Sequence, residues 1–134
     1  MRVISQREAW IQEGLSRWLN GPYAYRMPTY REEPNGGVRS WIAEIIPARC
    51  IRRLPRWEEE PEVLVRWRLA HRILVEKIDG ISTPDEEPAP IVRRMQATRI
   101  LPGKIERVPT PEEEPDECVR ELLRERIRTK PTSV

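Results

Sequence analysis

Apolar side chains stand four residues apart in several stretches of the chain. The clearest sets are Val65, Leu69, Ile73 and Val119, Leu123, Ile127. An α-helix completes a turn in about 3.6 residues, so side chains at this spacing lie along one face of a helix. The pattern predicts helices near residues 5–20, 36–46, 61–75, 88–100 and 115–129.

The tripeptide Glu-Glu-Pro occurs four times, and each copy begins 27 residues after the one before it. When the chain is written in rows of 27 residues, further columns agree in all four rows. They are Val38, Val65, Val92, Val119; Arg39, Arg66, Arg93, Arg120; and Ile46, Ile73, Ile100, Ile127. Internal repetition at a fixed period is typical of chains built from equivalent units. We expect the Val and Ile columns to form a core that the rows share.

The repetition divides the chain into four rows and a divergent first segment. The rows are residues 28–54, 55–81, 82–108 and 109–134, and the last of them is truncated. Residues 1–27 lack the Glu-Glu-Pro motif, although they keep some apolar positions of the row. Terminal units of stacked arrays are usually atypical because one face meets solvent, so residues 1–27 are predicted to be an N-terminal cap.

Each row is predicted to contain a helix, a short extended strap and a stiff acidic connector. Pro47 and Pro102 break their rows after the helix. The segments CIRRL, KIDGI and KIERV follow, each with an apolar residue near its start and at its end. The predicted fold class is a tandem 27-residue repeat protein, mainly α with short extended or β straps. The alternative is an α/β solenoid or a set of β-hairpin repeats.

Residues 63–75 allow a second interpretation, because their apolar residues also alternate as they would in a strand. The positions between the shared ones are Ser40, Trp67, Arg94 and Glu121, which have no character in common. The rows share the four-residue spacing instead, so the helix is favoured. One row is too small to fold alone. The rows therefore either stack on each other or lie separately on a partner.

Charge is nearly balanced, with 24 Lys and Arg against 22 Asp and Glu in 134 residues. This balance removes the simplest electrostatic argument for nucleic-acid binding. Acids cluster in the connectors and bases in the helices and straps, so we expect each connector to meet arginines of a neighbouring row. No apolar run approaches the roughly 20 residues of a membrane span, and the N-terminus has no secretory apolar segment. A cytoplasmic location is predicted.

The candidate partner-binding residues are arginines and tryptophans. They are Arg39, Arg66, Arg93 and Arg120, supported by Arg72, Arg99 and Arg126, together with Trp41, Trp57 and Trp67. Arginine binds carboxylate or phosphate through two parallel hydrogen bonds, and tryptophan is frequent at protein interfaces. A ladder of arginines could also follow the phosphates of a nucleic acid while tryptophans stack on its bases. Nucleic-acid binding is the alternative to protein binding.

Catalysis has little support in the sequence. His71 is the single histidine, and no Ser or Cys partner for it is indicated. Cys50 and Cys118 fall in different columns of the rows and form no metal-binding spacing. We therefore predict no enzyme activity, no catalytic residue, no metal and no cofactor. The predicted function is a structural scaffold or linker whose rows dock on equivalent sites of an oligomeric or filamentous protein partner, or on copies of the chain itself.

Overall fold

The structure is a computed structural model that describes residues 26–129. It contains four α-helices, which are α1 (Gly36–Ile45), α2 (Val63–Arg72), α3 (Pro90–Arg99) and α4 (Glu117–Arg128). Three short 3₁₀-helices follow the first three of them, at Ala48–Cys50, Val75–Lys77 and Pro102–Lys104. Each α-helix begins 27 residues after the one before it. The helix predicted near residues 5–20, and almost all of the predicted cap, lie outside the described residues.

The four α-helices stack in chain order, and each one packs against the next. The apolar residues of the helices meet in one continuous core that runs from Val38 to Leu123. Seven of the eight residues in the Val and Ile columns are buried, and Ile127 is partly buried. Burying a side chain of this size contributes about 1.5–3 kcal/mol, so the shared columns hold the stack together.

The fold class predicted from the sequence is wrong. The described residues form a small helical structure with four α-helices and no strand or sheet, in place of helices joined by extended or β straps. The same finding overturns the α/β solenoid and the β-hairpin alternatives. Residues 63–75, which the alternation allowed as a strand, are helical from Val63 to Arg72, and after Ile73 and Leu74 a 3₁₀ turn begins at Val75.

The predicted straps fail as strands because side chains, not backbone ladders, join them. Ile51 has extended backbone angles, but its N–H donates to Ala48 within its own 3₁₀ turn and its side chain enters the core. The Lys77 ammonium then donates to the backbone carbonyls of Arg49 and Ile51 in the preceding row, at 3.0 and 2.9 Å. A lysine therefore satisfies carbonyls that a neighbouring strand would otherwise pair.

The helices also begin later than the acidic Pro motif suggests. Pro61 lies two residues before α2, because the N–H of Glu62 donates to the carboxylate of Glu60 and Glu62 keeps an extended backbone. The motif therefore belongs to the connector. Side chains cap two of the four helices: Asn35 accepts from the first turn of α1, and Asp116 accepts from Val119 in α4.

Across the described residues, no helix has both the length and the apolar character that crossing a membrane requires.

Candidate functional site

Three arginines of the repeated column form buried ion pairs that join neighbouring rows. We call these pairs the arginine ladder. They are Arg39 with Glu60, Arg66 with Glu87, and Arg93 with Glu114. Each arginine lies in the first turns of its helix, and its glutamate stands 21 residues later, in the connector of the next row. This is the pairing between connector and neighbouring row that the charge pattern suggested.

The Arg66–Glu87 pair shows the geometry that all three share. Arg66 Nε and Nη2 donate to the two oxygens of Glu87 at 2.6 and 2.9 Å, and both side chains are only 4% exposed. Arg66 Nη1 also donates to the carbonyl of Glu60 at 2.6 Å, and Glu87 Oε1 accepts from the N–H of Ala89. Every buried side-chain nitrogen and oxygen of the described residues has a hydrogen-bond partner. The buried charges are therefore both paired and hydrogen-bonded, as burial requires.

A second set of arginines joins the rows near the helix ends. Arg72 Nη1 donates to the carbonyl of Ala43 at 2.8 Å, and Arg99 Nη1 donates to that of Ala70 at 2.7 Å. Arg126 Nε donates to the carbonyl of Ile100 at 2.6 Å. Carbonyls in the last turn of a helix lack partners within the helix, so these arginines satisfy groups that would otherwise be exposed or unpaired.

The arginines predicted to bind a partner are thus engaged within the chain. Arg39, Arg66 and Arg93 are buried, and the second set is partly buried on backbone carbonyls. Their role in partner binding stays a prediction, and the geometry gives their guanidinium groups a structural role between rows. Arg120 differs, because its Nε donates only to the carbonyl of Glu114 and no carboxylate within the described residues meets it.

The three candidate tryptophans lie in different surroundings. Trp41 is 40% exposed on α1. Trp57 is exposed in a connector, and its Nε1 donates to the carbonyl of Asp85 in the next row at 3.2 Å. Trp67 is half-buried on α2 and stacks on His71, with the ring centroids 5.6 Å apart. The structure therefore does not gather them into one site.

An apolar surface lies on α2 and α3, and of its residues only Trp67 was named in the sequence analysis as a candidate for partner binding. We call it the α2–α3 patch and define it by Leu64, Trp67, His71, Ile91 and Met95. Leu64 and Ile91 occupy the same row position and are 50% and 52% exposed. The residues vary from row to row at these positions, so the agreement between columns could not point to them. The one signal that the sequence analysis used here was the tryptophan side chain of Trp67, a residue type frequent at protein interfaces.

The register of the helices brings the patch together. Arg68 of α2 forms an ion pair with Glu44 of α1 at 2.7 Å, which sets how one helix sits against the one before it. Met95 and His71 hold the corresponding positions one row later, so we infer that they are neighbours. Arg94 forms a further pair with Asp116 at 2.8 Å on the α4 side. Ion pairs thus flank the apolar surface.

Exposed ion pairs also lie along the connectors. Arg53 donates to both carboxylate oxygens of Glu59, and Arg107 donates to both of Glu113. Each of these glutamates is the first of its Glu-Glu-Pro motif. The Arg107 guanidinium and the N–H of Thr110 lower the pKa of Glu113 to about 2. These pairs are well exposed, so each contributes little to the stability of the fold.

The connector between α2 and α3 departs from the others at two positions. Gly80 stands where the first and third rows have Arg53 and Arg107, and Glu86 is instead held mainly by the N–H and hydroxyl of Thr83, which lower its pKa. Ser82 replaces a proline and Gln96 replaces an apolar core residue. The Ser82 N–H donates to Gln96 Oε1 at 2.9 Å, and Gln96 Nε2 donates to Ser82 Oγ at 2.8 Å. The new polar groups therefore satisfy each other.

In the part of the chain that the structure describes, no group of three or more His, Cys, Asp or Glu side chains could hold a metal ion. Comparison of the chain with protein-family models, curated proteins and solved structures gives no match. The exposed surface of the stack is therefore the part of the molecule that bears on function.

Proposed function

We propose that this chain is a non-enzymatic interaction scaffold, which docks onto a protein partner through the α2–α3 patch. The observation that carries the proposal is the exposure of Leu64 and Ile91, which leaves about half of each side chain in solvent on neighbouring helices. Exposed apolar side chains add little to the stability of the fold. Contiguous apolar surface with a polar border is typical of protein–protein contact sites.

The composition of the patch supports a protein partner. Tryptophan and methionine are enriched at the centres of interfaces, and this surface contains one of each, the partly buried Trp67 and Met95. The Arg68–Glu44 and Arg94–Asp116 pairs lie at its border, where interfaces are polar and accessible to solvent. The chemistry fits an apolar side chain or helix face on the partner, surrounded by polar contacts.

The arginine ladder supports the scaffold role. Buried, fully hydrogen-bonded pairs fix each row against the next, so the patch is held in one geometry before binding. A preorganised surface loses less conformational entropy when it binds, and this raises affinity without adding contacts. A single composite surface also fits the structure better than identical sites on every row, because the corresponding residues of α1 and α4 include Gly37, Ser40 and Glu121.

The nucleic-acid alternative gains no support from the geometry. Its central feature was a ladder of arginines free to meet phosphates, whereas Arg39, Arg66 and Arg93 face buried carboxylates. Titration with single- and double-stranded nucleic acid at several salt concentrations separates the two functions, since phosphate binding weakens steeply with salt. We expect no specific, salt-dependent binding.

Site-specific crosslinking tests the protein-docking proposal. A photoreactive amino acid is placed at position 91, within the patch, and in a matched chain at position 101, where Leu101 has a comparable apolar exposure outside it. In the native cell we expect a discrete protein adduct from position 91 alone, and its loss when Trp67→Ala is added. Thermal melting by circular dichroism verifies that each variant is folded. An adduct of the same protein from both positions, or none from position 91, would reject the proposal.

A further inference from the structure

Arg120 occupies the fourth position of the arginine column, on α4, the last helix that the structure describes. In the three preceding rows, Nε and Nη2 of the arginine bind both oxygens of a glutamate from the next row. Arg120 has no such glutamate among the described residues, and its Nε has turned to the carbonyl of Glu114 at 3.0 Å. Its Nη1 and Nη2 make no hydrogen bond within the described residues, where every buried side-chain nitrogen has a partner, so both groups are accessible to solvent.

We propose that Arg120 is the centre of a docking site for an acidic, proline-containing segment of a partner protein, whose glutamate takes the place filled in the other rows. The internal pairs supply the template for this segment. In each of them the glutamate before the proline binds the arginine, and one of its oxygens also accepts the N–H of the residue after the proline, as Glu114 does from Asp116 at 3.0 Å. The expected ligand is therefore Glu-Pro-X, where X is not proline.

The charges around Arg120 favour an anionic ligand. Glu121 lies next to it in sequence, but its carboxylate is paired with Arg124. Asp116 is paired with Arg94 and also caps α4. These two carboxylates are thus already matched with other arginines, and an entering glutamate would meet a guanidinium whose two Nη groups make no hydrogen bond within the described residues. Two parallel charge-assisted hydrogen bonds are the strongest and most directional contact that such a group can make.

The occupant is an extended segment, not a further helical row. Ala43, Ala70 and Ala97 are completely or almost completely buried at one position of α1, α2 and α3, and α4 has Arg124 at that position. A large charged side chain there prevents another helix from packing at the distance that alanine allows. An extended peptide needs only the space beside Arg120, one helical turn earlier.

A folded second copy of this chain is also a poor donor of the glutamate. The glutamates before proline in the connectors, Glu33, Glu60, Glu87 and Glu114, are only 3–6% exposed in their own chain. A second copy would have to break one of its own buried Arg–Glu pairs to offer such a residue. The glutamate is more readily available from a flexible acidic segment of another protein, which has no internal pair to break.

Peptide binding to the full chain tests the site. The probe is the chain's own connector sequence PTPEEEPDE, residues 109–117, blocked at both ends and labelled with a fluorophore. We expect saturable binding by fluorescence anisotropy, with a dissociation constant of about 0.1–1 mM for a contact of this size. Arg120→Gln should weaken it about tenfold or more, and Arg120→Lys should also weaken it because lysine lacks the planar fork.

Matched controls separate the proposed contact from general attraction between charges. A peptide with Gln at the place of Glu114 should lose binding, whereas one with Gln at the place of Glu112 should bind nearly as well as the parent. Arg124→Gln in the protein should have a smaller effect than Arg120→Gln. Ile91→Asp should leave peptide binding unchanged, since the α2–α3 patch is a different surface. Failure at the patch and failure at Arg120 are therefore distinguishable.

Three outcomes would overturn the proposal. One is absence of binding at several-millimolar peptide while circular dichroism shows the protein folded. Another is equal binding by the native chain and Arg120→Gln. The last is self-association of the native chain in sedimentation that Arg120→Gln abolishes, which would identify a second copy as the occupant instead.

Discussion

Replacing Glu87 by alanine should destabilise the fold far more than the same replacement at Glu59. Glu87 is buried, with both oxygens on Arg66 and one of them also accepting the N–H of Ala89. Its removal leaves a guanidinium that is 4% exposed with two donors and a positive charge uncompensated. Breaking a buried pair by deleting one member costs about 3–5 kcal/mol.

Glu59 is the matched control for this change. It also lies in a Glu-Glu-Pro motif, and Arg53 grips it through two hydrogen bonds of 2.9 and 2.7 Å, so the chemistry is the same. The difference is solvent, because the side chains of Arg53 and Glu59 are 67% and 42% exposed. Water compensates both groups when the pair is broken, and exposed pairs contribute about 0–1 kcal/mol. We therefore expect the two variants to differ by at least about 2 kcal/mol.

Urea unfolding followed by far-ultraviolet circular dichroism measures both free energies of unfolding. A domain of this size is stabilised by about 5–15 kcal/mol in total, so Glu87→Ala could unfold a marginal chain. Glu87→Gln is the milder variant, since its amide oxygen can still accept from Arg66. If Glu87→Ala lowers the free energy of unfolding by no more than Glu59→Ala, burial is not what makes the ladder stabilising.

A double variant separates the pair from its members. Arg66→Met combined with Glu87→Leu removes both charges, and an apolar pair of similar volume often matches or exceeds a buried ion pair in stability. We expect the double variant to recover most of the loss caused by Glu87→Ala. If the double variant lost as much stability as the two single variants together, the two side chains would act independently, contrary to the bidentate geometry.

Three further predictions concern the connectors. In urea titrations Gly80→Arg should raise the free energy of unfolding by about 0.2–1 kcal/mol more than Gly80→Ala does. The space around Gly80 is open and its backbone angle is ordinary, so an arginine there can reach Glu86. Equal effects of the two variants would show that no ion pair with Glu86 forms. In carbon-detected NMR titration the Glu113 carboxyl should show a pKa of about 2. The stability that its pair with Arg107 contributes is then present above the ordinary pKa of 4.5 and is lost as the pH falls through about 2. A measured pKa near 4.5 would refute this prediction. Ser82→Pro should lower the free energy of unfolding by about 1–3 kcal/mol, because Gln96 Oε1 loses the N–H from which it accepts a hydrogen bond. Adding Gln96→Leu should restore stability. A double variant no more stable than Ser82→Pro alone would show that the two residues are not coupled.

The ladder could be foreseen only in part. The separation of acids from arginines within each row indicated that connectors would meet neighbouring helices, and the structure shows this contact. Which glutamate makes it could not be deduced from the period, because every motif offers two adjacent ones. In the second row Glu60 turns inward to Arg39 while Glu59 turns outward to Arg53. That choice depends on the backbone path of the connector.

The errors in the fold prediction have a similar origin. An apolar pattern such as that of KIDGI shows that a segment is extended or partly buried, but pairing with another strand depends on a partner edge. Here Lys77 reaches the preceding row and satisfies its carbonyls directly. Likewise, proline after glutamate fits a helix start, yet the Glu60 carboxylate binds the N–H of Glu62 and delays α2. In both cases a side chain of the same motif competes with the regular backbone structure.

The α2–α3 patch was foreseen only at Trp67, for a different reason. Columns that agree between rows show what every row needs for packing, and they direct attention to the core. Leu64, Trp67 and Ile91 lie in columns that differ between rows, where packing imposes little and binding can diverge. The sequence predicted the residues that stabilise the stack more readily than those on which a partner would rest.

The constant separation of 21 residues in the ladder limits how the gene can change in length. After deletion of residues 55–81, Glu87 would stand 21 residues after Arg39 along the chain, as Glu60 now does, and a buried ion pair between neighbouring rows could re-form. Deleting or inserting one or a few residues between an arginine and its glutamate would place the wrong side chain opposite a buried cation. Insertions and deletions within the stack should therefore be tolerated in multiples of 27 codons and eliminated by selection at most other lengths.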